Sequence, residues 1–290
     1  MTPARNDSGD ASYDAAGLLR VEPAARNGAS VAGRRAQASI IRVYSQNVRG
    51  RLPPRSSPMK PLAAAAVFLL AACAPLAAQS TSGINYAVLV ARTDSFVVMV
   101  QGNPLGFQRT TVERTETGFR VVDDVEIGPI MNQHTEVEFG ADGTLHSTKQ
   151  TGQVRGQNTL IDIAYHDGRA KGVATTPSMT SVVTTAIDTT IAAGAIDDNL
   201  ITALLPAFDW SPTASFVVPV FLSGKGHVQS LTLTVKSTEK VTVPAGTFDV
   251  YRIELSGGQA PVSMFVTTDT PHRLVKIAPL GAPLEFVLAK

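Results

Sequence analysis

The side chains best equipped for chemistry in this 290-residue chain are five histidines, His134, His146, His166, His227 and His272, and a lone cysteine, Cys73. No two of the histidines have the H-E-x-x-H spacing that aims two imidazoles at one zinc ion, and none is joined by cysteine ligands. His134 with Glu136 and Glu138, or His166 with Asp162, would meet only across neighbouring strands, where an ordinary polar strand face explains them as well. A serine nucleophile would need a G-x-S-x-G elbow, which is absent. Asp188-Thr189-Thr190 lacks the glycine of an Asp-Thr-Gly protease loop. Asp123, Asp124, Glu126 and Glu254 supply carboxylates for a glycosidase-type pair, but adjacent Asp123 and Asp124 must point to opposite faces of a strand. No glycine-rich loop has the strand-to-helix setting that cradles phosphates. No catalytic, cofactor-binding or metal-ligating set is therefore expected, and a hydrolase ranks last among the readings.

Cys73 offers a different chemistry. Leu70-Ala71-Ala72-Cys73 matches a bacterial lipobox, in which the thiol takes a diacylglyceryl group and becomes the new first residue. As the sole cysteine it has no partner for an internal disulfide. Around it lie the three parts of a secretory signal: Lys60 after Met59, an apolar core from Leu62 to Ala72, and small residues before Gln79. Residues 59–78 are thus expected to be a signal peptide or lipoprotein signal. Soluble cleavage near Ala78-Gln79 and retention as an anchor are the alternatives. Residues 61–78 are uncharged and come close to the roughly 20 residues that span a bilayer, but half of them are alanine and two are proline.

Charge divides the chain at the same place. Residues 1–58 hold nine arginines against four acids, whereas fifteen basic and twenty acidic side chains follow from Ser80 onward. The basic stretch lacks the apolar periodicity that would offset the entropy of ordering it. It also lacks the interleaved aromatics, zinc-ligand spacing or recognition helix of a nucleic-acid binder, so no nucleic-acid partner is expected. It is read as a disordered leader upstream of a true start at Met59.

The groups named above would be positioned by strands. Residues 84–92, 94–102, 118–128, 134–150 and 158–172 read as β, with tight turns at Ala141-Asp142-Gly143 and Asp167-Gly168. Val137 with Phe139, and Ile161 with Ile163 and Tyr165, each share a face. The threonine- and alanine-rich stretch 176–210 has no clear period until Asp197-Asp198 starts a short helix with an apolar stripe of Leu200, Ile201, Leu204 and Leu205. Trp210 comes next, as a packing anchor. Strands return from Ser215 to the end, with a Gly224-Lys225-Gly226 turn, Leu231, Leu233 and Val235 on one face, and Tyr251, Ile253 and Leu255 on another. So many consecutive strands on short connections predict a mainly β fold: a curved antiparallel sheet or half-barrel with a short helix across its concave side, or alternatively a β-sandwich. One exported domain, 84–290, is expected.

The turn Pro244-Ala245-Gly246 and the strands on its C-terminal side carry a family signal. VPAGTFDVYRI at 243–253, MFVTTDTPHRLVKI at 264–277 and LEFVL at 284–288 resemble the family called domain of unknown function 3108, found mostly in exported bacterial proteins. The resemblance is strongest over 215–290 and rests on Pro244, Gly246, Phe248, Tyr251 and Arg252; Phe265 stands where an aromatic is expected before Pro271. The family is distantly similar to LolA and LolB, curved-sheet carriers whose half-barrels hold lipoprotein acyl chains. The resemblance therefore implies a sheet able to enclose a lipid or another apolar ligand, with Leu204, Trp210 and Phe265 as cavity or core residues, and it brings no agreed ligand set.

Two functional expectations stand together. One is an exported binding module of the periplasm, or of the periplasm-facing outer membrane, held there by an N-terminal lipid if Cys73 is acylated. The other is a non-catalytic structural or protein-interaction domain of the envelope, with an envelope protein as partner. Their discriminator is physical: an open channel favours the first, and a core filled by Phe, Leu and Trp the second.

Overall fold

A computed structural model describes residues 83–178, 181–258 and 260–289. The leader, the signal segment and Cys73 lie outside the described residues. The described chain forms β1 (Arg92–Val100), β2 (Asn103–Arg114), β3 (Gly118–Ile127), β4 (Met131–Gly140), β5 (Leu145–Val154), β6 (Gln157–His166), β7 (Arg169–Pro177) and β8 (Val182–Thr190). After these come a two-residue strand β9 (Ile196–Asp197), a 3-10 turn (Asp198–Leu200), helix α1 (Ile201–Leu204) and a second 3-10 turn (Leu205–Ala207). The remaining strands are β10 (Ser215–Leu222), β11 (His227–Val243), β12 (Gly246–Ser256), β13 (Val262–Thr267), β14 (Leu274–Pro279) and β15 (Leu284–Leu288).

All fifteen strands belong to one sheet, in the order β8-β7-β6-β5-β4-β3-β2-β1-β15-β14-β13-β12-β11-β10-β9. Every pairing is antiparallel except β9 with β10. This is one curved, unclosed sheet, not a sandwich of two. Its first and last strands do not pair with each other. Instead the β10–β11 turn packs on the far flank: a Cβ added at Gly226 would lie 3.1 Å from Ile187, and one at Gly224 would meet Thr176 and Ile161. Side chains, not ladder hydrogen bonds, therefore close the seam.

Tight hairpins explain the meander. Gln101-Gly102, Arg155-Gly156 and Asp167-Gly168 each place two consecutive residues at positive φ, the geometry whose twist matches that of the flanking strands. Asp-Gly advertises such a turn; Gln-Gly and Arg-Gly do so only through the glycine.

The interior is packed. Helix α1 and its flanking turns lie against the sheet with Leu200, Leu204 and Leu205 each 1% exposed or less. Phe208, Trp210 and Phe216 form a ring cluster with centroids 5.2–5.3 Å apart. Trp210 Nε1 donates to the Leu205 carbonyl at 2.8 Å.

The sequence reading departs from the structure at three places. Residues 84–92 are not a strand: Tyr86–Val88 is a 3-10 turn whose Ala87 N–H is capped by the Asn85 side chain. Strand β2 gives no apolar alternation because its inward positions include Gln108 and Thr110. Strand β8 is hidden in the threonine-rich stretch because eight of its nine positions are not buried. The register between β11 and β12 also shifts at Val235/Ser237. Val250 and Ile253, three residues apart, are both fully buried, and Tyr251 is only half-buried, edge-on to His272 at 6.4 Å.

Candidate functional site

One end of the curved sheet opens into a groove of about 1310 Å³. Its walls come from separate parts of the chain: the N-terminal segment 83–90, the β4–β5 and β6–β7 turns, the β8–β9 connection 191–195, the residues after α1, and the β13–β14 loop. Ile84, Val88, Ile191 and Phe208 give it apolar wall. Val88 is 49% exposed, so apolar surface is open to solvent there. Mouths of barrels are a recurrent place for small-molecule sites.

The polar lining is acidic. The charged lining residues are Arg92 against Asp142, Asp167 and Asp209, and His146, His166 and His272 also line it. Arg92 is moreover already engaged: its Nε meets Asp94 at 3.0 Å and its Nη2 donates to the Ala203 carbonyl, while Arg273 grips the other oxygen of Asp94 at 3.0 Å. Asp142 accepts from Thr144 N–H at 2.9 Å in its turn. Burial, and the Asp142 charge beside it, push the Tyr86 hydroxyl up to about 12.

Beneath the groove lies a buried polar network that includes Tyr165, itself a lining residue. Asp197 is fully buried. Its Oδ2 accepts from Tyr165 OH at 2.6 Å and from Thr148 Oγ1 at 2.8 Å, and its Oδ1 accepts from the Asn199 backbone and side chain at 2.9 and 2.8 Å. Asp198 Oδ1 accepts from Ser223 N–H at 3.1 Å and Ser223 Oγ at 2.8 Å, with Asn199 Nδ2 at 3.5 Å. Burial first, and then the neighbouring Asp197 charge, raise the Asp198 carboxyl to about 7 against the pull of Ser223. Burial and Asp197 likewise raise the Tyr165 hydroxyl, and burial lowers Lys225, opposed by the Asp198 charge.

The residues singled out by sequence fall elsewhere. Pro244 lies in the two-residue turn that pairs Val243 with Gly246. Phe248 packs part-buried against the core, and Arg252 pairs with Phe265 across β12 and β13. Phe265 is 8% exposed with the Lys276 ammonium 5.7 Å above its ring. Leu204 and Trp210 are core. None of these, nor Tyr251, lines the groove. His134 and Glu136 meet at 3.1 Å, joined by Asp124 on an exposed strand face; among the described residues no group of three or more His, Cys, Asp or Glu is placed to hold a metal ion. His166 reaches Asp167, not Asp162. Asp123 and Asp124 do divide between faces: Asp123 is bound by Gln108 and Thr110, Asp124 by Arg109 and His134. Asp197-Asp198 is a helix start, as its sequence indicates, but its partners Thr148 and Tyr165 lie 49 and 32 residues upstream and leave no local signal.

Fold and site together define a mainly β protein built on one curved, unclosed sheet, with a packed interior and an open groove. The chain belongs to the family Protein of unknown function (DUF3108), which matches residues 94–288. Among solved structures it is similar to a beta-barrel-like protein of domain of unknown function DUF1849 from Brucella abortus. The two are 12% identical over 71% of this chain and 98% of that one, with a TM-score of 0.41. No curated protein matches the chain.

Proposed function

We propose that this protein is an exported envelope module that binds an amphiphile at the mouth of its sheet. The groove of about 1310 Å³ carries this reading. It joins an apolar wall to a polar rim, whereas the interior behind it is filled by Leu200, Leu204, Leu205 and Phe221. A long acyl chain therefore has no channel to enter, and the ligand's apolar part would lie along Ile84, Val88, Ile191 and Phe208. One engaged arginine against three aspartates disfavours an anionic head, so a neutral or cationic one fits. The lipobox cysteine supports placement at a membrane, with Cys73 ten residues before the groove residue Gly83 and so within about 36 Å of it along the chain.

The full chain, produced in a Gram-negative host, would be titrated calorimetrically with dodecyl maltoside and dodecanoate below their micellar concentrations. Saturable binding of the maltoside is expected, weaker for dodecanoate, and lost on Ala193→Trp, which fills the groove from an exposed position. Absence of saturable binding rejects the reading. Intact-mass analysis of the membrane fraction tests the anchor: Cys73 carrying a diacylglyceryl group supports it, and an N-terminus near Gln79 removes it. The packed interior favours the second reading, an envelope interaction domain. The open β8 edge, with Val182 and Val183 44% and 48% exposed, would then be the surface used.

A further inference from the structure

The unclosed sheet is held shut by two consecutive carboxylates. Strand β9 lies beside β10, pairing Ile196 with Val220 and Asp197 with Phe221. From that edge Asp197 reaches across the interior to Thr148 on β5 and Tyr165 on β6, while Asp198 turns back to Ser223 at the end of β10. In the sheet order these partners lie near opposite ends, so residues 196–198 form a strut between walls that share no ladder. The same segment sets the groove. Ala192–Ala195 precede it, Pro206–Asp209 come after α1, and Tyr165 beneath is held by Asp197; all line the groove.

The hydrogen bonds divide the labour between the two acids. Asp197 has both oxygens filled by four donors. All of Asp198's hydrogen bonds fall on Oδ1, so Oδ2 is the oxygen a proton can occupy. The groups that face Asp198 are Asp197 beside it, Tyr165 from β6 behind Asp197, and Lys225 from the β10–β11 turn. Two adjacent carboxylates, Asp197 fully buried and Asp198 part-buried, resist a second negative charge.

We propose that Asp197 and Asp198 act as a proton-operated latch on the groove: with Asp198 protonated the strut is seated, and with Asp198 ionised the segment 192–209 loosens and the groove loses that wall. As a control on ligand binding this rests on the groove being the ligand site; as a conformational device it does not. The sign is set by where the proton is held. The Asp198 carboxyl is raised to about 7 in the fold, above an unfolded value of about 3.9. The folded state therefore holds the extra proton between the two, and stability falls as pH rises through that window.

Hydrogen exchange of the full chain at pH 6 and pH 8.5, corrected for intrinsic rates, reads the latch directly, with β12 as internal reference. Protection of 192–209 is expected to fall about tenfold relative to β12 at the higher pH, as one unit of differential ionisation would give. Asp198→Asn, which keeps an acceptor and cannot ionise, should hold protection nearly constant. Ser223→Ala removes a donor that favours the charged form and should move the transition to higher pH. Equal protection of 192–209 at both pH values in the unaltered protein overturns the latch, as does an Asp198→Asn protein with unchanged pH dependence. Dodecyl maltoside titrated at the same two pH values separates the claims. Binding weakened at pH 8.5 only in the unaltered protein supports control of the groove. No binding at either pH rejects the groove as ligand site and leaves exchange to decide the latch.

Discussion

Strands β2–β6 and β11–β15 flank β1 on its two sides, and they bury different side chains. The first flank buries Gln108, Thr110, Thr135, Thr148, Gln150 and Thr159 among its hydrophobics. The second buries Leu231, Leu233, Val250, Ile253, Met264, Val266, Leu274, Ile277, Leu284 and Phe286, with Ser263 and Thr267 as its polar members. Apolar burial is non-directional and scales with area, so the second flank tolerates small shifts and loses stability in proportion to what is removed. The first flank depends on matched donors and acceptors, where one missing partner strands another group. The bound carboxylate of Asp123 sits on that polar flank, and the Asp197 strut is anchored to it through Thr148 and Tyr165.

The largest expected effect tests the apolar side. Phe286→Ala empties a position only 4% exposed in β15 and should cost about 3–5 kcal/mol, read as a fall in urea midpoint with little change in slope. On the polar side, Tyr165→Phe keeps the ring that meets Phe221 edge-on at 5.6 Å and removes only the hydroxyl that Asp197 accepts. A loss of about 1–3 kcal/mol is expected. The same measurement showing no loss would mean that the flank is held by area after all, and the contrast would dissolve.

Legibility in the sequence obeys the same division. Leu231, Leu233 and Val235 announce their face by alternating with threonines, and the β12–β15 hairpins carry the family resemblance. Strand β2 escapes an apolar count because Gln108 and Thr110 occupy inward positions that such a count scores as outward. The antiparallel β fold is legible because strand number and short turns suffice for it, but they leave a curved single sheet and a sandwich both open. The groove is not, because its walls come from six separate segments and its chemistry depends on where loops end. Asp197 and Asp198 are visible as a helix start, yet what they join is a property of the seam, and a seam has no sequence period.

Thr110→Val sharpens the polar side further. Thr110 Oγ1 donates to Asp123 at 2.5 Å, beside Gln108 Nε2 at 2.9 and 3.0 Å. Burial raises the Asp123 carboxyl, and these two donors pull it back. A folded value above the unfolded one means that stability falls as pH rises past the unfolded carboxylate range. Removing Thr110's donor extends that fall. The variant should be nearly as stable as the parent at pH 4 and about 1 kcal/mol worse at pH 7, a gap that urea melts at the two pH values would show. A gap independent of pH would assign the loss to packing instead.

The smallest effect lies on the outer face of the same flank, and it separates buried polar chemistry from polar chemistry as such. His134 is held at 2.7 Å by Asp124 and at 3.1 Å by Glu136, and these hydrogen bonds, Asp124's first, raise its pKa. Its stabilisation is therefore complete below the unfolded value of about 6.5 and is lost as pH rises through the folded one. The imidazole is 47% exposed, so water screens the pair and His134→Ala should cost no more than about 0.5 kcal/mol at pH 5.5 and almost nothing at pH 9. Urea midpoints at those two values, with an NMR titration of the ring, would test it. A loss as large as that of Thr110→Val would mean that charge pairing anywhere on this flank holds the sheet, and that burial is not what gives Asp123 and Asp197 their weight.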